Sequence, residues 1–228
     1  MIPVGDDQVR GGPPAMVNIL LIVLNVLAFF FELSRPQGAL ESFITAWGVV
    51  PREYSAGHDL APMIPLPFWT TLFTSMFLHG GWAHLGGNML YLWIFGDNIE
   101  KVLGGARYLV FYLTCGVAAA LAHILSAPHS ALPTVGASGA ISGILCGYIV
   151  LFPRNNVRVL ARGGIIAVPA FVMLGLWILL QLVSGVGAIA QTQQTGGGVA
   201  YMAHVGGFVA GILLIKIMAA GRSRPAYA

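Results

Sequence analysis

The chain of 228 residues is long enough for one ordinary domain, but 57% of its residues are apolar and only 8% are charged. Because a soluble domain carries about 25% charged residues, this composition excludes a water-soluble fold and indicates that lipid surrounds much of the chain. The net charge of +3 comes from basic residues scattered singly, with no basic patch among aromatic residues, so no nucleic acid partner is predicted.

Six apolar runs follow one another along the chain and are predicted to be membrane-spanning helices. A span needs about 20 mostly apolar residues, and lipid excludes the open edge of a sheet, so each run should be helical. The fold class predicted is therefore an all-α membrane protein, in which residues 16–218 form a six-helix bundle between short tails at residues 1–15 and 219–228. The predicted spans are residues 16–33, 82–103, 108–127, 137–152, 164–183 and 200–218.

Two connections between the predicted spans differ from the others. Residues 34–81 are rich in proline and aromatic residues, which predicts a structured loop with short helices at the membrane interface. Residues 184–198 contain a Gln/Thr stretch followed by three glycines, which predicts a mobile segment. That segment serves either as a cap over a site or as a plain linker, and the sequence favours neither.

The distribution of basic residues predicts the orientation of the bundle. Six spans place both ends of the chain on one side of the membrane, and of the 11 lysines and arginines only Arg35 and Arg52 fall on the other side. Because cytoplasmic connections are enriched in Lys and Arg, both termini are predicted to be cytoplasmic. The compartment predicted is the inner membrane of a bacterium.

Polar residues inside a membrane span are disfavoured, and three of the predicted spans contain them. In the second span, the stretch HGGWAHLGGN at residues 79–88 places His84 and Asn88 four residues apart on one helical face. Their N–H groups are suited to stabilising a developing oxyanion. Metal binding is the alternative, but a zinc site usually takes three protein ligands and no carboxylate lies near on the outer side. No metal site is therefore predicted.

The fourth span contains the stretch GASGAISG at residues 136–143, with Ser138 at the start of the helix. Free backbone N–H groups at such a position can receive negative charge, although a serine there is also a common structural cap. Gly136 and Gly139 allow another chain to approach closely. Gly139 and Gly143 lie four residues apart, a spacing that gives a smooth face for a neighbouring helix.

The sixth span contains the stretch AHVGGFVAG at residues 203–211, which places His204, Gly207 and Gly211 on one helical face. The histidine is therefore predicted to point toward a closely packed helix. It is either a base or a buried histidine bonded to a backbone carbonyl.

These polar groups are predicted to meet at one depth in the membrane. The second, fourth and sixth spans all run from the outer to the inner side, and His84, Ser138 and His204 each lie within the first few residues of a span. A hydroxyl, a base and a pair of donors are the groups that acyl transfer requires.

The three motifs, in this order and on these spans, resemble those of the rhomboid family of intramembrane proteases, over roughly residues 16–218. The resemblance implies that Ser138 is the nucleophile and His204 the general base, with His84, Asn88 and the Ser138 N–H stabilising the oxyanion. It implies no required cofactor. It also implies that the substrates are single-span membrane proteins, cleaved within or near the lipid, and it leaves the oligomeric state open.

Two other functions stay open beside proteolysis. Some relatives have lost the nucleophile or the base and only bind client proteins, whereas this chain has both. A small transporter would also place polar groups inside a bundle, but it should show broken helices near the middle of the membrane and an internal repeat. No clear repeat is present here.

Two further positions bear on the resemblance. Trp69 is followed by Thr70, where many rhomboids have arginine, so the packing of residues 34–81 is expected to differ from the family pattern. Glu100 matches an acidic position of the family and is interpreted as structural.

Overall fold

The fold is built from helices that follow the apolar runs of the sequence. The computed structural model describes residues 2–8, 14–190 and 201–221. In chain order its helices are α1 (Met16–Leu33), α2 (Gln37–Trp47), α3 (Pro51–Ala56), α4 (Thr71–Thr74), α5 (Trp82–Leu103), α6 (Gly105–Ser126), α7 (Ser138–Leu151), α8 (Ala170–Ala190) and α9 (Tyr201–Met218). The first two predicted spans, at residues 16–33 and 82–103, have the bounds of α1 and α5.

Within the described ranges, three helices are long and apolar enough to cross a membrane: α1, α6 and α9. Helix α7 and residues Ala170–Leu180 of α8 are shorter apolar helices. Helix α5 is as long as α6 but carries Asp97, Glu100 and Lys101 near its end. The coarser part of the expectation, a mostly helical chain with helices suited to a membrane, is confirmed, and the bundle of six membrane-spanning helices stays a prediction.

Helix α7 lies at the centre, packed against α5, α6, α8 and α9. Every residue from Gly139 to Tyr148 is buried. A helix that is apolar all round is stable where lipid or other helices cover it, and here other helices cover α7. This packing surrounds the first residue of α7, Ser138, with the ends of neighbouring helices.

A three-stranded antiparallel sheet lies at the opposite end of α7. Its strands are β1 (Ile2–Asp6), β2 (Asn156–Ala161) and β3 (Gly164–Pro169), in the order β1-β2-β3. Register pairs Ile2 with Leu160, and Leu160 with Ile165. Val157 and Val159 alternate with exposed residues along β2 and belong to the hydrophobic core, so one face of the sheet packs on the helices.

The sheet corrects three expectations. The chain is not all-helical, residues 2–6 form a paired strand rather than part of a tail, and the fifth helix begins at Ala170 rather than at residue 164. The reason is that an apolar run such as residues 164–169 suits a strand as well as a helix, and composition alone does not separate the two. Arg162 and Gly163 form the two-residue turn between β2 and β3, and Gly163 and the first residue of β3, Gly164, both have positive φ.

The connection predicted at residues 184–198 has different bounds in the structure. Helix α8 continues to Ala190, so the first part of that segment is helical. Residues 191–198 lie outside the described residues, and the mobile segment expected there stays a prediction.

Between α1 and α5 the chain folds into α2, α3, α4 and two 3-10 turns, Phe68–Thr70 and Ser75–Phe77. The Thr70 hydroxyl, at the position where many rhomboids have arginine, donates to the Pro67 carbonyl at 2.8 Å. The Thr74 hydroxyl donates to the Trp47 carbonyl at 2.7 Å and joins α4 to the end of α2.

Glu100 makes a structural contact between α5 and α1. Its carboxylate accepts the backbone N–H groups of Val17 and Asn18 at 3.1 and 2.7 Å. Negative charge is favourable at the first turn of a helix, where backbone N–H groups lack partners. The contact agrees with the structural interpretation of this residue.

Candidate active site

Ser138 and His204, which the sequence places on different helices, lie side by side. Ser138 is the first residue of α7 and His204 lies in the first turn of α9. The Ser138 Oγ is 2.9 Å from the His204 Nε2. The serine is half-buried and the histidine is buried. In this arrangement the imidazole can take the proton of the hydroxyl.

The glycines of α7 and α9 explain why these two side chains reach each other. A Cβ atom on Gly207 would collide with the Gly139 carbonyl oxygen, and one on Gly211 would collide with the Gly143 carbonyl oxygen. The two helices therefore pack backbone to backbone, as small residues allow in membrane helices. This close packing brings the first turns of both helices within hydrogen-bond distance.

Gly136 sets the backbone at the entrance to α7. Its φ is +121°, a conformation that residues with a side chain rarely adopt. A Cβ atom there would also lie 2.6 Å from the His84 Nε2 and 3.6 Å from the Asn88 Nδ2. The two predicted oxyanion donors thus face the backbone immediately before Ser138.

The hydrogen bonds of His84 identify which ring nitrogen carries its proton. The Gly80 backbone N–H donates to the His84 Nδ1 at 3.3 Å. Because a backbone N–H only donates, the Nδ1 accepts, and the proton of the neutral ring is on Nε2. That nitrogen is the one facing Gly136, so His84 directs a donor toward the space beside Ser138.

The Asn88 amide is held by His79, which was assigned no role from the sequence. The Asn88 Nδ2 donates to the His79 Nε2 at 3.0 Å, and the His79 Nδ1 donates to the Phe77 carbonyl at 3.3 Å. Both contacts require the same neutral tautomer. Burial, and secondarily the neighbouring His84, lower the pKa of His79 to about 4, so the ring is neutral at neutral pH.

Trp177 of α8 packs against the proposed base. Its ring centroid lies 5.8 Å from that of His204, with the planes inclined by 38°. Its edge contact with Phe208, at 5.4 Å, ties it to the same helix. The sequence contains no local signal for this residue, because a tryptophan in an apolar helix is unremarkable.

One cavity of about 820 Å³ connects these side chains. This volume is typical of a binding site. Most of its lining is apolar, and the polar groups converge on one region. The residues that line it include Ser138, His204, His84, Asn88, Trp177, Tyr91, Met76 and Val49.

His79, which precedes α5, and His84, in its first turn, are arranged as hydrogen-bonding groups. The expectation that no carboxylate lies near these histidines is wrong, because the Glu32 carboxyl group accepts the His79 backbone N–H at 3.1 Å. The ring centroids of His79 and His84 are 5.1 Å apart. In the part of the chain that the structure describes, no three His, Cys, Asp or Glu side chains lie close enough together to hold a metal ion.

Comparison with known proteins identifies related sequences. A family model of the Rhomboid domain matches residues 67–221. "Rhomboid protease GluP" of Bacillus subtilis (strain 168) is 31% identical over 154 residues, which are 67% of this chain and 27% of that protein. "Rhomboid protein 1, mitochondrial" of Saccharomyces cerevisiae is 32% identical over 143 residues, 61% of this chain and 39% of that protein.

The relatives also include a protein described as inactive. "Inactive rhomboid protein 1" of Drosophila melanogaster is 26% identical over 118 residues, 52% of this chain and 8% of that protein. In all three comparisons the match covers less than two thirds of the relative's own length.

Proposed function

The chain belongs to the rhomboid family, and on that basis we propose that it is an intramembrane serine endopeptidase that cleaves single-span membrane proteins within or near the lipid. Its family and its apolar helices identify it as an integral membrane protein. Membership alone does not decide activity, because one relative is described as inactive. The observation that carries the proposal is the 2.9 Å contact between the Ser138 Oγ and the His204 Nε2.

The first half of the proposed reaction acylates the serine. The Ser138 Oγ attacks the scissile carbonyl carbon while the His204 Nε2 takes the hydroxyl proton. The carbonyl π electrons move onto its oxygen, which accepts hydrogen bonds from His84, Asn88 and the Ser138 backbone N–H. His204 then gives its proton to the leaving amine as the C–N bond breaks, and an acyl-enzyme remains.

The second half hydrolyses the acyl-enzyme. Water attacks the ester carbonyl carbon as His204 takes one of its protons, and the same donors hold the oxyanion. His204 then returns the proton to the Ser138 Oγ as the ester C–O bond breaks, which releases the carboxyl product. Apart from the substrate and water, these steps use only side chains and backbone groups of the chain, so the proposal includes no cofactor.

The proposal includes a membrane arrangement. Helices α1 and α5 to α9 are the six spans, and residues 16–218 form the membrane domain between the segments 1–15 and 219–228. Both termini are cytoplasmic, in a bacterial inner membrane, and the cavity at Ser138 opens toward the other side. The short α7, of 14 residues, covers about 21 Å at 1.5 Å per residue, less than the roughly 30 Å hydrocarbon core. This supports a nucleophile below the surface.

The test is cleavage of a panel of tagged single-span proteins by the purified full chain in detergent, together with labelling by a fluorophosphonate probe. We expect the wild type to cleave and to take up the probe. Ser138→Ala and His204→Ala should each abolish both reactions while the protein still melts cooperatively, because an unassisted hydroxyl is a poor nucleophile.

Ser142→Ala is the matched control for these variants. The Ser142 hydroxyl lies one turn deeper and donates to the Ser138 carbonyl at 2.7 Å, so it is not free to react. This variant should keep probe labelling. Wild-type turnover by Ser138→Ala would refute the mechanism, and a wild type that binds tagged proteins without cleaving any would favour a client-binding function.

A further inference from the structure

We propose that Glu32, at the end of α1, is a positioning residue for the reaction: it holds the backbone of His79, and His79 orients the Asn88 amide toward the oxyanion. This inference rests on the proposed function and assigns a task to a residue outside its motifs. The contacts run from Glu32 to His79 to Asn88, across two helices and the segment between them.

Glu32 places a carboxyl group at a buried position in an apolar helix. Its side chain is 1% exposed, in the last turn of an apolar helix. Both of its oxygens accept the His79 backbone N–H, at 3.1 and 3.3 Å. Among the described residues the sole ion pair joins Lys101 to Asp97, so Glu32 has no cation partner there. An ionisable residue in a membrane helix is costly, and such residues usually have a function.

His79 links the contact with Glu32 to the orientation of the Asn88 side chain. With its main chain held by Glu32, its Nδ1 donates to the Phe77 carbonyl and its Nε2 is left to accept from the Asn88 Nδ2. A ring fixed at both nitrogens has one orientation. The Asn88 amide, bonded to it at 3.0 Å, is therefore fixed as well.

This order matters because of how an asparagine amide donates. The amide has two N–H groups, and the contact with His79 uses one of them. The second is left for an oxygen bound beside Gly136, which lies next to the Asn88 Nδ2. Without His79 the terminal torsion of asparagine is broad, so the second N–H would point away from the oxyanion for much of the time. Glu32 therefore acts on the rate without touching the substrate.

The probe for this inference is the fluorophosphonate itself. The Ser138 Oγ bonds to phosphorus, the P–F bond breaks, and fluoride leaves while His204 takes the hydroxyl proton. Negative charge grows on the phosphoryl oxygen, so lost oxyanion donors should lower kinact and leave KI almost unchanged. Glu32→Met removes the acceptor at nearly constant side-chain length, and Glu32→Gln keeps an acceptor oxygen.

We expect Glu32→Met to lower kinact about tenfold, with KI within about twofold of the wild type. Glu32→Gln should restore kinact to within about threefold, since its amide oxygen still accepts the His79 N–H. In an Asn88→Ala background, Glu32→Met should change kinact by less than about twofold, because residues that act through one another are not additive. Glu32→Gln also serves as the folded variant if Glu32→Met is unstable.

Asn25→Leu is the matched control. Asn25 is also fully buried in α1, two turns before Glu32 on the same face, and its amide donates to the Leu21 carbonyl. This variant should alter Tm without altering kinact. If Glu32→Met lowers only Tm, or lowers kinact equally with and without Asn88, the positioning role is refuted while the proposed function stands. A wild type that takes up no probe refutes the proposed function and the role of Glu32 together.

Discussion

At the scale of single residues, His84 and Asn88 have the geometry of donors that act late in the reaction. Their N–H groups face Gly136 rather than a protein acceptor, apart from the one Asn88 proton given to His79. A donor directed at charge that exists only in the tetrahedral state lowers the barrier and adds little to substrate binding.

We therefore expect Asn88→Ala and His84→Ala each to lower kcat for a tagged single-span protein by roughly tenfold to a thousandfold, with KM little changed. The Ser138 backbone N–H and the other side chain remain in each variant, so neither should be inactive. Steady-state kinetics and Tm are measured on the same preparations. A variant that melts early but turns over normally at low temperature would contradict the oxyanion role.

Gly136→Ala is expected to damage the same site from the backbone side. A Cβ atom on residue 136 would lie 2.6 Å from the His84 Nε2, and the Gly136 φ of +121° is one that residues with a side chain rarely adopt. Backbone strain of this kind costs about 1–3 kcal/mol, so both Tm and kcat should fall, kcat by about tenfold or more because His84 is displaced.

Gly86→Ala is the control for that variant. Gly86 lies in α5 with open space around its Cβ position. Alanine also has a higher helix propensity than glycine. Its Tm should be equal to or above that of the wild type, with unchanged kcat. If the two alanine variants behave alike, the space at Gly136 is not important to the site.

At the scale of elements, the sequence predicts the helices that carry the site well. The motifs at residues 79–88, 136–143 and 203–211 fall at the starts of α5, α7 and α9. Small residues at a fixed spacing inside an apolar run indicate close helix packing, so the positions of these helices can be predicted from local sequence pattern. The glycine contacts between α7 and α9 are of the kind that this spacing indicates.

What local pattern does not predict is the support around the site. Glu32 and His79 meet only because α1 packs beside the start of α5, and Trp177 reaches His204 from a third helix. The sequence also predicts a helix where residues 164–169 form strand β3. An apolar run alone does not indicate that residues 2–6 lie near enough to pair with the hairpin of β2 and β3. Each of these features depends on tertiary contacts.

Strand β1 carries a carboxyl group whose burial makes the stability of the fold depend on pH. Asp6 is buried and accepts hydrogen bonds from Tyr148, Asn98 and Gln8. Burial raises the pKa of Asp6 to about 6 despite these bonds. The folded protein then holds this proton more tightly than the unfolded chain, so the contribution of Asp6 to stability is fully present below about pH 4 and is lost as the pH rises through about 6.

Asp6→Asn should remove this part of the pH dependence. For the wild type we expect Asp6 to lower Tm between about pH 4 and pH 7, and the Asn variant should have a flatter curve over that range. Thermal melts in detergent at fixed ionic strength measure it. Ser138→Ala, which leaves β1 untouched, should keep the wild-type slope. Parallel curves for Asp6→Asn and the wild type would contradict this account of Asp6.

At the scale of the whole molecule, the proposed orientation places the cavity and the sheet on opposite sides of the membrane. We expect single cysteines at His58 and Leu132 to react with an impermeant maleimide on intact cells. A cysteine at Arg162, in the β2–β3 turn, should react only after lysis. All three positions are exposed, and Cys115 and Cys146 are buried and replaced in the background. The reverse pattern would overturn the orientation drawn from the charge distribution.

The pairing of β1 with β2 has a consequence for how the protein is made. Ile2 and Leu160 are partners in the sheet, yet roughly 160 residues separate them in the chain. At about 5–20 residues per second, a ribosome needs on the order of ten to thirty seconds between them. Throughout that interval the backbone N–H and C=O groups of residues 2–6 lack their partners in β2, and unpaired groups of this kind are able to pair with other chains. Strand β1 can join its sheet only once β2 has been translated, so residues 2–6 reach their final place only after helices α1 to α7 have been made.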